Sequence, residues 1–414
     1  MDCPMSSPVT IDAIRQAAKA IEGAVLRTPL LPARHLDVLT GTRIFVKYEN
    51  MQDTNAFKER GALNKLLSLS KAEQSKGVIA MSAGNHAQAV ALHAGRLGIP
   101  AVIVMPKHTP HVKISATEAY GATVVLAGET VDDAREEADR LAKEHGYTWV
   151  HPYDDPWVIA GQGTIALEML EDQPDLDVLV VPIGGGGMVA GMAIAAKALK
   201  PSIEIIGVEA ELFPSMHNAL AGLDRPIGGN TLAEGIAVRR VGTLTRQIAK
   251  DLVDDIIIVS ETQIEQAVNA YLTQQKTIAE GAGAAGLAAV MAQPERFKGK
   301  QVGLVLCGGN IDPRLLTSIM LRELVRSGNI MSIRCTIPDR PGILGEISTL
   351  IGNLGGNILE VSHHRLFLDV PAKGATLDVT VETRGSAHAD TIVKALEDKG
   401  ISVSHLMGSD LHRN

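Results

Sequence analysis

VLVVPIGGGGMVAGMAIAA, Val178 to Ala196, carries no charged residue and is long enough to cross a bilayer. Pro182 and four consecutive glycines, Gly184 to Gly187, fall in its first half, where they would break a spanning helix. The run therefore reads as a buried strand, a glycine loop and a buried helix. Four glycines lose much backbone freedom on folding, so the loop must serve a need for unusual dihedrals or close backbone approach. A phosphate at the mouth of the following helix meets both needs. The loop is neither a G-x-G-x-x-G fingerprint nor a Walker loop, because no Gly-Lys-Ser/Thr trails it.

Working outward, β-branched apolar runs alternate with helical patterns. Val78–Met81, Ala101–Met105, ATVVLAG, EIIGVEA, DIIIVS and VGLVLCGG read as further strands. Ala87–Leu97 and VDDAREEADRLAKEHG read as helices, each closed by a glycine. The alternation predicts an α/β fold of parallel sheets covered on both faces, with ligands at the carboxyl ends of the strands. The pattern changes near residue 330. Strand, helix, strand, strand, helix, strand follow at 331–337, 342–354, 357–366, 375–383, 387–399 and 401–406. Leu377, Val379 and Val381 alternate with Asp378, Thr380 and Glu382, as in a half-buried antiparallel strand. This βαββαβ order is a ferredoxin-like module of about 80 residues. The expected domains are 1–326, with a smaller subdomain at roughly 54–150 inserted in it, and 331–414.

At 414 residues and 45% hydrophobic, the chain is a multidomain globular protein. A formal charge of −8, with no lysine–arginine cluster, argues against nucleic acid as a partner. Cys3, Cys307 and Cys335 show neither disulfide nor metal spacing, and the N-terminus has no signal-peptide pattern. A cytoplasmic protein without a membrane span is expected. His363 and His364 are adjacent on a strand and so point to opposite faces, which argues against a metal site.

TNAFKERGALNKL, residues 54–66, places Lys58 at the mouth of a helix whose apolar face is Ala62, Leu63, Leu66 and Leu67. The helix dipole and burial beside Phe57 both disfavour the charged amine, and a neutral amine is a nucleophile and a base. SAGNH, Ser82 to His86, is a small-residue loop between strand and helix, suited to a carboxylate, with Asn85 as an added donor. CGGN ends a strand with a thiol, Cys307, that is either core filler or a weak partner for a ring nitrogen. Lysine, carboxylate loop, phosphate loop and neutral ring partner together describe pyridoxal 5′-phosphate with an amino acid.

TNAFKERGA, SAGNHAQAVA, GGGGMVAG, GVEAE, EGAGAAGLAA and CGGNID occur in the order of the motifs of threonine dehydratases. Over about residues 8–325 the chain resembles this family of fold type II, tryptophan-synthase-β-like enzymes. IPDRPGILGEISTLI resembles the start of a single ACT domain. The resemblance implies β-elimination of L-threonine to 2-oxobutyrate and ammonia. Serine or threo-3-hydroxyaspartate dehydration and a non-catalytic amino-acid sensor are the competing expectations. It also implies residue roles. Lys58 would hold the cofactor and later act as the base at Cα. Phe57 would pack by the ring and Asn85 would meet the phenolic oxygen. Gly184, Gly185, Gly186, Gly187 and Met188 would hold the phosphate, and Cys307 would face the ring nitrogen. Ser82, Ala83, Gly84, His86 and Glu280 would surround the substrate. Asp339, Arg340, Gly342 and Leu344 would bind an amino-acid effector, and a homodimer or homotetramer is expected.

Two departures narrow the reading. Racemases of this fold carry a serine where this chain has Ala83, so racemisation should be weak or absent. Their cation site pairs a glutamate with an aspartate, whereas this chain has Glu209 and Ser215, so no metal is expected.

Overall fold

The computed structural model describes residues 9–129, 131–365 and 374–406. The chain divides into two compact units, 1–312 and 313–414. The first holds two sheets. The larger has the strand order Leu30–Pro32, Arg43–Lys47, Gln301–Val305, Val178–Pro182, Glu204–Ala210, Asp255–Val259. Only the edge strand Leu30–Pro32 is antiparallel; the others run parallel. The smaller sheet is wholly parallel, in the order Thr123–Leu126, Ala101–Met105, Val78–Met81, Thr148–Trp149. Its strands lie in sequence between two strands of the larger sheet.

The charge-free run divides as expected into a fully buried strand, Val178–Pro182, and a helix, Gly187–Leu199. Among the described residues no helix is long and apolar enough to cross a membrane. Three strands escape a pattern search, the two-residue Thr148–Trp149 among them. Leu30–Pro32 is short, and Arg43–Lys47 frames three apolar residues with two cations. The second cation, Lys47, is buried, so its side chain gives a surface signal at a core position.

The second unit is an antiparallel sheet ordered Asn357–His364, Gly374–Glu382, Ile330–Pro338, Ser402–His405. The helices Ile343–Asn353 and Ser386–Glu397 bury Ile347, Ile351, Ile392 and Leu396 with Ile333, Leu377 and Val379 of the sheet. The element order is βαββαβ. The helix Pro313–Arg326 falls within this unit and touches the Ile330–Pro338 strand. Leu366 of the expected third strand lies outside the described residues, as do 407–414.

One ionic knot organises the first unit. Arg60 donates to both carboxylate oxygens of Glu49 at 2.8 Å and to Glu168 at 2.6 and 2.9 Å. Lys47 Nζ meets Glu168 at 2.5 Å and the Thr28 carbonyl at 2.5 Å. Arg60, Glu49 and Lys47 are buried. Burial pulls the Lys47 pKa down, partly offset by Glu168 and Glu49. Burial alone would raise Glu49, but the Arg60 guanidinium outweighs it and the net shift is downward. Removing one charge from such a group leaves the others uncompensated. Glu49→Gln is expected to cost about 3–5 kcal/mol of stability. Both tryptophans, Trp149 and Trp157, lie in the first unit, so fluorescence-detected urea unfolding reads this loss. A loss below about 1 kcal/mol, the range of exposed pairs, would refute it.

Candidate active site

The Lys58–Leu67 helix begins at Lys58 itself, after Phe57 as its N-cap. Ala62, Leu63 and Leu66 are buried as expected, whereas Leu67 is exposed. Two hydrogen bonds hold the turn before the lysine. Glu59 Oε1 accepts from the Thr54 backbone at 2.5 Å and from its hydroxyl at 2.9 Å. Glu59 Oε2 meets His93 Nε2 at 3.0 Å, tying this helix to Asn85–Leu97. Lys58 Nζ lies 5.1 Å from the Phe57 ring centroid and donates to the Pro152 carbonyl at 2.8 Å. Burial lowers its pKa to about 8, against weaker opposing effects of Cys307 and Glu280.

Cys307 follows the Gln301–Val305 strand and is buried. Its carbonyl accepts from the Phe57 backbone at 3.0 Å, and Ala56 bridges Gly308. Burial pushes the thiol pKa well up, so the group beside the lysine is a neutral one. Glu280 caps the small-residue helix Gly281–Ala292, and its Oε1 accepts from Asn85 Nδ2 at 2.8 Å. Burial raises its pKa to about 7.

The asparagine loop leaves the carboxyl end of Val78–Met81. Ser82 Oγ accepts from the Gly84 backbone at 3.2 Å, and Ala83 packs on the core of the smaller sheet. Asn85 and His86 open the helix Asn85–Leu97, so their N–H groups have no carbonyl within it to meet. The His86 ring is buried, with Nε2 2.8 Å from the Val150 carbonyl. Burial and the Lys58 charge push its pKa down to about 3, so it is neutral. The loop is left with the backbone of His86 rather than its side chain.

The glycine loop is shaped by neighbours on three sides. A Cβ on Gly185 would lie 2.2 Å from the Tyr153 ring, and one on Gly187 would lie 2.9 Å from the Tyr153 backbone. Gly186 has φ +96°, and a Cβ there would lie 2.7 Å from Met216 Cε. A Cβ on Gly184 would lie 3.1 Å from Ile236 Cα. Met188 is buried in the first turn of the helix, where the N–H groups again lack partners. The segment 151–155 joins this loop to the lysine. The Pro152 carbonyl takes the lysine, Tyr153 covers the glycines, and Asp154 accepts from the backbones of Thr243, Leu244 and Thr245 at 3.0–3.2 Å. Thr245 Oγ1 completes the ring by donating to the Gly185 carbonyl at 2.6 Å.

Lys58, Phe57, Cys307, Asn85 and Glu280 are thus linked by contacts, with the glycine loop joined to them through 152–153. Pro152, Tyr153, Asp154 and Thr245 escaped the sequence reading. Asp155 followed by Pro156 does signal a helix start, but nothing local reveals a tyrosine stacked on a distant glycine loop. Glu209 accepts from the backbones of Met216 and His217 at 2.7 and 2.8 Å, and burial raises its pKa to about 7. Among the described residues no cluster of three or more His, Cys, Asp or Glu could hold a metal ion.

In the second unit Arg340 forms a two-pronged pair with Glu346 at 2.7 and 2.6 Å. Asp339 pairs with Arg365 at 3.2 Å. Gly342, at φ +90°, caps the helix Ile343–Asn353, and Leu344 is exposed.

The donor set suits pyridoxal phosphate. It offers an amine whose pKa is lowered to about 8, glycines that leave room for no Cβ at a helix mouth, a neutral thiol and an amide donor. The comparisons agree. A family profile described as pyridoxal-phosphate dependent enzyme matches residues 21–308, and an ACT domain profile matches 331–401. The L-threonine ammonia-lyase of Thermotoga maritima is 44% identical, over 95% of this chain and 99% of that one. The solved threonine deaminase of T.th. is 40% identical with a TM-score of 0.69, covering 73% of this chain and 99% of that one. Maize serine racemase is 36% identical with a TM-score of 0.71, covering 77% and 98%. The chain, which carries an ACT domain, therefore belongs to the family of pyridoxal-phosphate dependent L-threonine ammonia-lyases.

Proposed function

We propose that the protein removes ammonia from L-threonine by β-elimination to give 2-oxobutyrate, acts on L-serine in the same way to give pyruvate, and is regulated by an amino acid at its ACT domain. Lys58 carries this reading, as a buried amine with a pKa near 8 at a helix mouth. Pyridoxal phosphate, when bound, supplies the electron sink that stabilises negative charge at the substrate Cα. Lys58 Nζ would hold the cofactor covalently and, as a free amine, would take the Cα proton. The β-hydroxyl leaves as water, and the enamine product hydrolyses to 2-oxobutyrate and ammonia. The N–H groups at Ser82–His86 orient the substrate carboxylate, those at Gly184–Met188 hold the phosphate, and Asn85 donates to the phenolic oxygen. Glu280 sits beside Asn85 at the substrate. Phe57 packs against the ring. The Cys307 thiol, kept neutral by burial, would leave the ring nitrogen without a proton, which would favour loss of the β-hydroxyl over transamination.

The deciding assay is 2-oxo acid release by cofactor-loaded protein offered L-threonine, L-serine and L-threo-3-hydroxyaspartate in parallel. Threonine is expected to be preferred. Lys58→Ala is expected to lower the rate by about 10³-fold or more. Preference for hydroxyaspartate would move the substrate assignment, and no activity on any of the three would overturn the lyase reading.

The lowered lysine pKa has a pH consequence. In cofactor-free protein the neutral amine forms as pH rises through the folded pKa. The rate of pyridoxal phosphate capture, followed by its visible absorbance, should therefore rise between pH 7 and 9 with a midpoint near 8. A midpoint near the ordinary lysine value of about 10.4 would refute the assignment.

For regulation, the Gly342 turn and the helix mouth behind it suit a carboxylate, with Asp339, Arg340 and Leu344 around it. Equilibrium dialysis of the homo-oligomer, a dimer or tetramer, should show binding of L-isoleucine or L-valine that weakens in Arg340→Ala. No binding of either amino acid would overturn it.

A further inference from the structure

Asn310 closes the Cys307-Gly308-Gly309-Asn310 stretch beyond the Gln301–Val305 strand. Its amide nitrogen lies 2.8 Å from the Thr54 carbonyl oxygen and 2.8 Å from Asn85 Oδ1. A backbone carbonyl can only accept, so the nitrogen end of Asn310 must face Thr54. Its second hydrogen is then aimed at Asn85, which can meet it only with oxygen. The Asn85 amide is thereby oriented. Its nitrogen faces the other way and donates to Glu280 Oε1 at 2.8 Å. The Asn310 oxygen is engaged as well, accepting from Asn55 Nδ2 at 3.3 Å. The two ends of an asparagine amide have nearly the same shape, so packing alone does not choose between them. Here the choice passes from a backbone carbonyl, through one side chain, to the next.

We propose that Asn310 is a positioning residue that makes Asn85 offer its donor end, rather than its acceptor end, to the cofactor. The proposal rests on the reading of Asn85 as partner of the phenolic oxygen. A donor there stabilises negative charge on that oxygen, and an acceptor would repel it. The same amide bonds the loop before Lys58, at Thr54 and Asn55, to the first turn of the Asn85 helix. It does so from the chain segment that carries Cys307. One side chain thus sets the register of three segments that meet at the ring.

The test uses cofactor-loaded full-length protein and three variants: Asn310→Asp, Asn85→Ala and the double substitution. Aspartate matches asparagine in size but, when ionised, donates nothing, so Asn85 should turn its amide over. Asn310→Asp is expected to raise the pH midpoint of the bound cofactor's visible band by about one unit and to lower kcat about tenfold, with KM little changed. The melting temperature should move little. The double variant should match Asn85→Ala alone, because the effect of Asn310 passes through Asn85. An unshifted band in Asn310→Asp, where Asn85→Ala does shift it, would overturn the positioning role. So would an Asn310→Asp effect that persists without Asn85, which would mark a direct effect of the new charge. An unshifted band in Asn85→Ala would instead remove the reading of Asn85 on which the proposal stands.

Discussion

The buried pairing of Arg60 with Glu49 and Glu168 is the constraint on which the site depends. A lysine in the first turn of a helix works against the helix dipole, so the helix must be held by its other residues. Arg60 anchors it to Glu49 and to the long helix Pro156–Asp172 through Glu168. Asn64 donates to the Trp157 carbonyl at 2.7 Å, and Lys65 pairs with Asp155 at 2.7 Å. Glu59 secures the preceding turn. Nearly every polar side chain near Lys58 is thus committed elsewhere, which leaves the amine with one backbone carbonyl as its hydrogen-bond acceptor.

Electrostatics inside the site run in one direction. Burial lowers the Lys58 amine and raises the Glu280 carboxyl and the Cys307 thiol. Each group is moved toward its uncharged form, and the first two are brought close to neutral pH. Such convergence is what a site that passes protons near pH 7 requires, and it arises from burial more than from any single charged neighbour.

Much of the fold was legible because its signals are local. The strand at Val178–Pro182 and the helix at Gly187–Leu199 follow from an apolar run cut by glycines, and the βαββαβ order of the second unit follows from alternation and glycine stops. The loops bearing Asn85 and Cys307 were legible for the same reason, since each follows a readable strand, and the Lys58 loop was legible from the helix it opens. What stayed hidden is tertiary. Lys47 reads as a surface residue and is buried because Glu168, far along the chain, meets it. Leu67 fits the apolar face of its helix and is exposed. His86 stands in the asparagine loop, yet its ring is spent on the Val150 carbonyl. The four glycines were legible as a loop with close neighbours, but nothing local told that Tyr153, Met216 and Ile236 press on them from within the protein.

The segment 151–155 has a consequence for how this site can change over time. Pro152 meets the lysine through its carbonyl, which any residue could supply, whereas Tyr153 and Asp154 act through side chains of particular size and charge. Three neighbouring residues therefore answer to three parts of the pocket. A replacement that shifts one of them moves the others, so the lysine loop and the glycine loop cannot drift independently. Variation in one narrows the variation the other tolerates, and the two lobes of the catalytic unit are bound to evolve as a pair.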